Sequence, residues 1–321
     1  MKITSCVVLA FLCFGASAYS ADELIVLKAA RMFDGKSNSL LQNGVVVVKD
    51  DKIVDAGTNL QIPADARVID LGDATLCPGF MDAHTHLTQD FSGNYNERRL
   101  QELDLNVSEQ AIRATEYARV TIEAGFTTVR DLGSHFVSSH EFVDVALRNS
   151  INKRVIVGPR MLVATKGIGA TGGHFDPTNG FRDFLFGREP DYTDGIANGP
   201  DEIRKAVRFE VKNGADVIKA AVSGGVLSLT DEVDTPQLTP PEMAALVDES
   251  HRLRKKVAVH CHGDQVAREA IDAGVDSIEH GSFMKPDTLT MMKKKGDRYR
   301  VACSCAEERM LSKARSGIVG M

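Results

Sequence analysis

From residue 79 onward the sequence alternates short apolar runs of β character with amphipathic helical stretches, and this alternation narrows the fold more than any other feature. The strand-like runs are residues 79–87, 127–132, 160–164, 216–222, 256–262 and 276–281. Between several of them lie helices. Residues 201–213 carry Ile203, Val207 and Val211 on one stripe, and Gly214 closes it. Residues 239–254 open on Thr239 and Pro240, a cap and a first-turn proline, with Met243, Leu246, Val247 and Leu253 on the apolar face. Residues 264–273 end at Gly274. Alternating βα units predict a parallel sheet covered on both faces. Metal-type side chains fall at the C-terminal ends of the runs, where an α/β fold of the (β/α)8 TIM-barrel kind carries its active site.

A different pattern precedes the barrel. Leu24-Ile-Val-Leu27, Val45-Val-Val-Val48, Lys52-Ile-Val-Asp-Ala56 and Arg67-Val-Ile-Asp-Leu71 are β-rich, with Asn43-Gly44 and Asp50-Asp51 as turn signals. Residues 22–75 are expected to form a small β-sandwich-like domain, and residues 76–321 the barrel. Residues 1–18 resemble an export signal: basic Lys2, an apolar run ending at Phe14, then Gly15-Ala-Ser-Ala18. That run is shorter than the roughly 20 residues a bilayer span takes. The expectation is a secreted or periplasmic protein.

The first chemistry-bearing segment is Asp82-Ala-His-Thr-His-Leu87. His84 and His86 stand two apart on a strand, and a period of two puts both imidazoles on one face. Paired neutral nitrogens at fixed spacing are what a zinc site needs. Val257-Ala-Val-His-Cys-His-Gly263 repeats the pattern with His260 and His262, and Ser277-Ile-Glu-His-Gly281 adds His280. Five of the nine histidines thus sit at strand ends. Lys219 lies inside the apolar run Asp216-Val-Ile-Lys-Ala-Ala-Val222, either as a snorkelling strand-end lysine or as a functional one. Gly167-Ile-Gly-Ala-Thr-Gly172 fits a dinucleotide fingerprint, yet Gly173-His-Phe-Asp-Pro177 follows and no helix opens there to receive a pyrophosphate.

Read together, these segments resemble the amidohydrolase superfamily, and within it the imidazolonepropionase-like branch that contains Xaa-Pro dipeptidases. The residues that carry the resemblance are Pro78-Gly-Phe-Met-Asp-Ala-His-Thr-His86, Gly125-Phe-Thr-Thr-Val-Arg-Asp-Leu-Gly133, Gly172-Gly-His-Phe-Asp-Pro177, Gly187-Arg-Glu-Pro-Asp-Tyr-Thr-Asp-Gly195, Asp216-Val-Ile-Lys219, Val259-His-Cys-His-Gly263 and Ser277-Ile-Glu-His-Gly281. The resemblance implies two divalent metal ions, with zinc the expectation for a His-rich set. It implies that His84 and His86 bind the first metal and that His260 and His280 bind the second. Lys219, carboxylated by CO2, would bridge the two ions, and a metal-bound hydroxide would attack an amide carbonyl. His262 would either contact substrate or replace His260 as ligand. His174 and Tyr192, in the loops after the third strand, would contact a small peptide or amide substrate. The implied activity is hydrolysis of Xaa-Pro or related dipeptides. Cyclic-amide hydrolysis or deamination in the same superfamily is the alternative.

The pattern breaks near the C-terminus. The superfamily carries an Asp after its eighth strand that accepts a proton from the bridging water; no such segment follows His280, so no catalytic acid is assigned. Where an apolar seventh strand is due stands the polar, Cys-bearing stretch Asp297-Arg-Tyr-Arg-Val-Ala-Cys-Ser-Cys-Ala-Glu-Glu-Arg309, and family-like sequence returns at Met310. The expectation is a truncated barrel with strands seven and eight degraded or missing, and an inactive fragment is the rival outcome. A short frame-shifted stretch followed by early termination would account for both anomalies. A net charge of −6 argues against nucleic acid or an anionic membrane as partner. Homo-oligomerisation is left open. Cys77, Cys261, Cys303 and Cys305 are too scattered for a disulfide framework.

Overall fold

Residues 24–76 form one five-stranded sheet: β1 (Leu24–Met32), β2 (Leu41–Lys49), β3 (Lys52–Thr58), β4 (Arg67–Asp70) and β5 (Thr75–Leu76). The structure is a computed structural model, and it describes residues 24–90, 97, 100, 104–134, 141–182, 185, 187–295 and 300–302. The proposed export signal, Cys303, Cys305 and the family-like tail lie outside the described residues. β1 is central: it pairs antiparallel with β2 on one edge and parallel with β4 and then β5 on the other. All five strands are used in this single sheet, so the sandwich-like packing expected for the unit does not form among them. Val26, Val45 and Val47 make its small core.

Asp50-Asp51 does turn β2 into β3, with Asp50 in the left-handed region at φ 55°. Asn43-Gly44 does not turn the chain. It lies inside β2, where Gly44 faces Met32 so closely that a Cβ would stand 2.5 Å from the Met32 Cβ. The glycine answers a close approach rather than a reversal. The unit ends at Pro78 and a second begins at Gly79.

Seven parallel strands are described in the second unit. β6 (Phe80–Thr85), β7 (Phe126–Asp131) and β8 (Arg160–Val163) form one sheet in that order. β9 (Val217–Ala221), β10 (Lys256–Cys261), β11 (Ser277–His280) and β12 (Arg300–Ala302) form the other. The sheets meet at β8 and β9: the Asp216 amide donates to the Val163 carbonyl at 2.8 Å, and Ile168 bridges to Ala220. Arg130 on β7 reaches Ser277 and Glu279 on β11, so the strands curl towards one another as in a barrel. The seventh strand, expected to be degraded or missing, is present as three residues pairing Arg300 to Ser277. Ladder hydrogen bonds use the backbone, so a polar composition does not forbid them. Among the described residues there is no eighth strand.

Six helices are described: α1 (Val107–Glu123), α2 (Val143–Asn152), α3 (Pro200–Lys212), α4 (Pro240–Arg252), α5 (Asp264–Ala273) and α6 (Pro286–Lys294). α4 starts in a capping box between Thr239 and Glu242, and α5 stops at left-handed Gly274. Ile203 and Val207 of α3, Met243 and Leu246 of α4 and Val266 and Ile271 of α5 pack with Ile218, Val257, Val259 and Ile278 of the strands. Burying each such side chain contributes about 1.5–3 kcal/mol. No helix among the described residues is long and apolar enough to cross a membrane.

Candidate metal centre

β9 is buried along its whole length, and Lys219 in its middle is 1% exposed. Register sets Lys219 beside Ala258 of β10, and His260 beside both Ala221 and Glu279. Val217 and Ala258 pack with Leu132 and Ala164 in a separate small cluster, while Val257, Val259 and Cys261 pack with the helices. Strand alternation therefore turns Lys219, His260 and Glu279 inward. By the same rule His280 should face the helices. Its φ of 72° breaks the alternation, and a left-handed non-glycine residue costs about 1–3 kcal/mol and collects at functional sites. The ring ends 4.6 Å from that of His260, 4.9 Å from His262 and 5.0 Å from His84.

His84 and His86 leave the end of β6 together, with Nε2 atoms 3.2 Å apart. The Nδ1 of His86 lies 3.0 Å from the Gly133 carbonyl oxygen, which fixes its hydrogen there. The Nδ1 of His84 lies 3.0 Å from Oε2 of Glu279, which accepts and cannot donate when ionised. With the hydrogen on Nδ1 of each ring, both Nε2 atoms would be lone pairs pointing at one place. Two lone pairs at 3.2 Å repel unless a cation lies between them, and tetrahedral zinc with bonds of about 2.0–2.1 Å sets its nitrogens at about this spacing. The ligand atoms of His260, His262 and His280 lie within 4.8 Å of one another. The donor set fits divalent metal. His262 is thereby brought into ligand range of the pair assigned to the second ion.

Burial, with Lys219, His86, His280 and Arg130 near by, holds His84 far below the usual imidazole range. Burial, followed by His174 and His280, does the same to His260. Both are neutral, the form that binds metal. Lys219 acts on each, so it stands near the first-strand and the fifth-strand histidines alike. Burial pushes the Cys261 thiol up to about 12, leaving it unreactive.

His174 joins the cluster with its ring 4.2 Å from His260. Gln237 accepts from its amide, and Ser228 lies 2.8 Å from its Nδ1. Gly225 is obligatory beneath it, since a Cβ there would stand 2.1 Å from that nitrogen. Gly167 and Gly169 lie so close to Phe175 that a Cβ on either would crowd it, which accounts for the glycine-rich run without any phosphate. Tyr192 is placed differently. Its ring packs edge-on to Phe209 of α3 and beneath Lys205 Nζ at 3.8 Å, rather than against the histidine rings. The loop that carries it is pinned by Arg188 on Asp194 and by Lys166 Nζ donating to the Thr193 carbonyl.

Sequence reasoning assigned no role to Asp131, Arg130 or Glu279. Asp131 is fully buried, and burial together with nearby Asp144 raises its pKa. It accepts from the Leu87 amide at 2.5 Å and from Thr85 Oγ1 at 3.1 Å, bracketing His86. Charged residues in phase with a buried strand were the available signal.

Residues 75–318 match the amidohydrolase family. The chain belongs to that family. It is 28% identical over 317 residues to ochratoxinase of Aspergillus niger, across 94% of this chain and 63% of that protein. An 81-residue stretch is 36% identical to imidazolonepropionase of Streptomyces griseus subsp. griseus, across 25% of this chain and 19% of that one. Among solved structures, a Xaa-Pro dipeptidase with bound methionine in the active site matches with TM-score 0.80 and 34% identity, over 92% of this chain and 70% of that chain. Aspergillus niger ochratoxinase matches with TM-score 0.75 and 25% identity, over 93% and 68%. This amidohydrolase thus spans less than two thirds of the length of the curated ochratoxinase.

Proposed function

We propose that this amidohydrolase is a binuclear metal-dependent peptidase, exported through its N-terminal segment, that cleaves Xaa-Pro or related dipeptides. The observation that carries the metal reading is the His84–His86 pair, whose two Nε2 atoms stand 3.2 Å apart. His84 and His86 would hold one ion. His260 and His280 would hold the other, with His262 at their side. Lys219 in carboxylated form would lie between them, because a carbamate offers two anionic oxygens where an ammonium repels cations. Divalent ions there, zinc by the nitrogen-rich donor set, would supply Lewis-acid polarisation of an amide carbonyl and activation of water.

This chain's own residues do the rest. His174, held by Ser228 and Gln237 with its ring 4.2 Å from that of His260, would orient a substrate carbonyl or carboxylate. The dipeptide reading is supported by the likeness to a Xaa-Pro dipeptidase over 92% of the chain. Zinc reconstitution followed by assay against Ala-Pro-type dipeptides and imidazolone-type ring amides tests it. The expected outcome is two bound ions and dipeptide turnover. Ring-amide turnover without dipeptide cleavage would replace the substrate class, and failure to bind metal would overturn the centre itself.

A further inference from the structure

A buried charge network around Glu279 has no task in the metal reading. Glu279 is 0% exposed and precedes His280 on β11. Its Oε1 accepts from Arg130 Nη2 at 2.8 Å and from Ser277 Oγ at 2.6 Å. Arg130 Nη1 also donates to Ser277 Oγ at 2.9 Å, and Arg130 Nε donates to the Ala83 carbonyl at 2.6 Å. One guanidinium thus ties β11 to the residue before His84. That leaves Oε2 of Glu279 3.0 Å from His84 Nδ1 but off the N–H axis, and neither atom makes a hydrogen bond to any described residue.

We propose that Glu279 is a positioning residue for His84: its carboxylate holds the Nδ1–H tautomer and so presents Nε2 as a lone pair to the first metal. The inference rests on the metal-centre reading for its function, though not for its geometry. A buried carboxylate next to an imidazole N–H raises the basicity of the far nitrogen and fixes the ring, and loss of such a partner typically costs 10–100-fold in metal affinity. Arg130 offsets the charge of Glu279, so that burying it is tolerable. The same guanidinium sets the spacing between the His84 and His280 strands.

The network dictates which substitution is informative. In Glu279→Gln the side-chain oxygen must stay on Arg130 and Ser277, because both donate. The amide nitrogen then faces His84 and donates to Nδ1. His84 is driven into the opposite tautomer, with hydrogen on Nε2 where a metal should bind. The shape and the Arg130 contact survive.

The test uses the full chain in wild-type, Glu279→Gln and Glu279→Asp forms. Zinc affinity is read by competition with a chromophoric chelator. The His84 tautomer is read in the metal-free protein by long-range 1H–15N NMR, its signal identified by disappearance in His84→Asn. The expected result is Nδ1–H in wild type and Nε2–H in Glu279→Gln. First-site zinc affinity should fall 10–100-fold in Glu279→Gln and be partly rescued in Glu279→Asp. An Nε2–H tautomer in metal-free wild type overturns the proposal, even if the variants do not fold. So does wild-type zinc affinity in Glu279→Gln. Should wild type bind no zinc, the metal-centre reading fails, while the tautomer still decides whether Glu279 orients His84.

Discussion

Lys219 is the residue whose chemistry and surroundings are most at odds. It sits at 1% exposure between Ile218 and Ala220 on a fully buried strand, close enough to lower the pKa of both His84 and His260. As an ammonium it would repel any cation those histidines hold. As a carbamate it would attract two. Zinc reconstitution of the metal-free protein is therefore expected to depend on bicarbonate, with binding at least about tenfold weaker in CO2-free buffer, as read by chelator competition. Lys219→Met should lose that dependence and retain the fold by circular dichroism. Equal zinc uptake with and without bicarbonate would sink the carbamate. The His pairs stood out in the sequence because a period of two places them on a face, and Lys219 because it interrupts an apolar run. Glu279 and Arg130 were not legible as a pair. They lie 149 residues apart and meet only because the strands curl. His280 is legible as a candidate, yet the left-handed φ that aims it inward follows from no propensity.

Elements carry their own evidence of design. Expected strands 216–222, 256–262 and 276–281 coincide with β9, β10 and β11 to within two residues at each end. Fully buried parallel strands read as continuous apolar runs, so their positions were easily read. β12 was not, since Val301 and Ala302 make too short an apolar run to signal a strand. α4 shows a local signal at work. Thr239 Oγ1 and its amide both engage the Glu242 carboxylate, closing the first turn. Thr239→Ala is expected to cost about 1 kcal/mol of stability by urea denaturation, with metal content unchanged. α3 bears a different feature. Burial pushes Glu210 up to about 8, opposed by Thr165 and Lys166. Its unfolded value is near 4.3, so the folded state binds the proton more tightly. Stability from this group is full below the unfolded value, falls as pH rises, and is lost through pH 8. Glu210→Gln keeps an acceptor for the Lys166 amide and removes the titration. The variant should therefore gain stability relative to wild type progressively from pH 5 to 8. A constant difference across that range would show that Glu210 does not titrate there.

At the scale of the molecule, protection should follow how each strand is paired and covered. β10 pairs on both sides, with β9 and β11, and Val257, Val259 and Cys261 are sealed beneath the helices. Its amides open only when the sheet itself comes apart. β12 has three residues and pairs with β11 alone among the described residues. β3 borders the first sheet, with Ile53 and Val54 exposed and, among the described residues, β2 alone as neighbour. Opening an edge strand breaks one ladder and uncovers little apolar surface, so its free energy is a small fraction of the global value. Hydrogen exchange is therefore expected to rank β10 slowest, β9 and β11 next, and β3 and β12 fastest. Zinc sharpens the forecast. A ligand that binds only the folded state adds RT ln(1 + [L]/Kd), about 2.7 kcal/mol at a hundredfold excess over Kd. That increment reaches only amides whose opening disrupts the site. Zinc should thus slow exchange in β9, β10 and β11, which carry Lys219, His260 and His280, and at the end of β6 beside His84. It should leave β3 as it was. Equal slowing everywhere would mean that the two units open together. Slowing in β3 alone would place the metal away from the histidines.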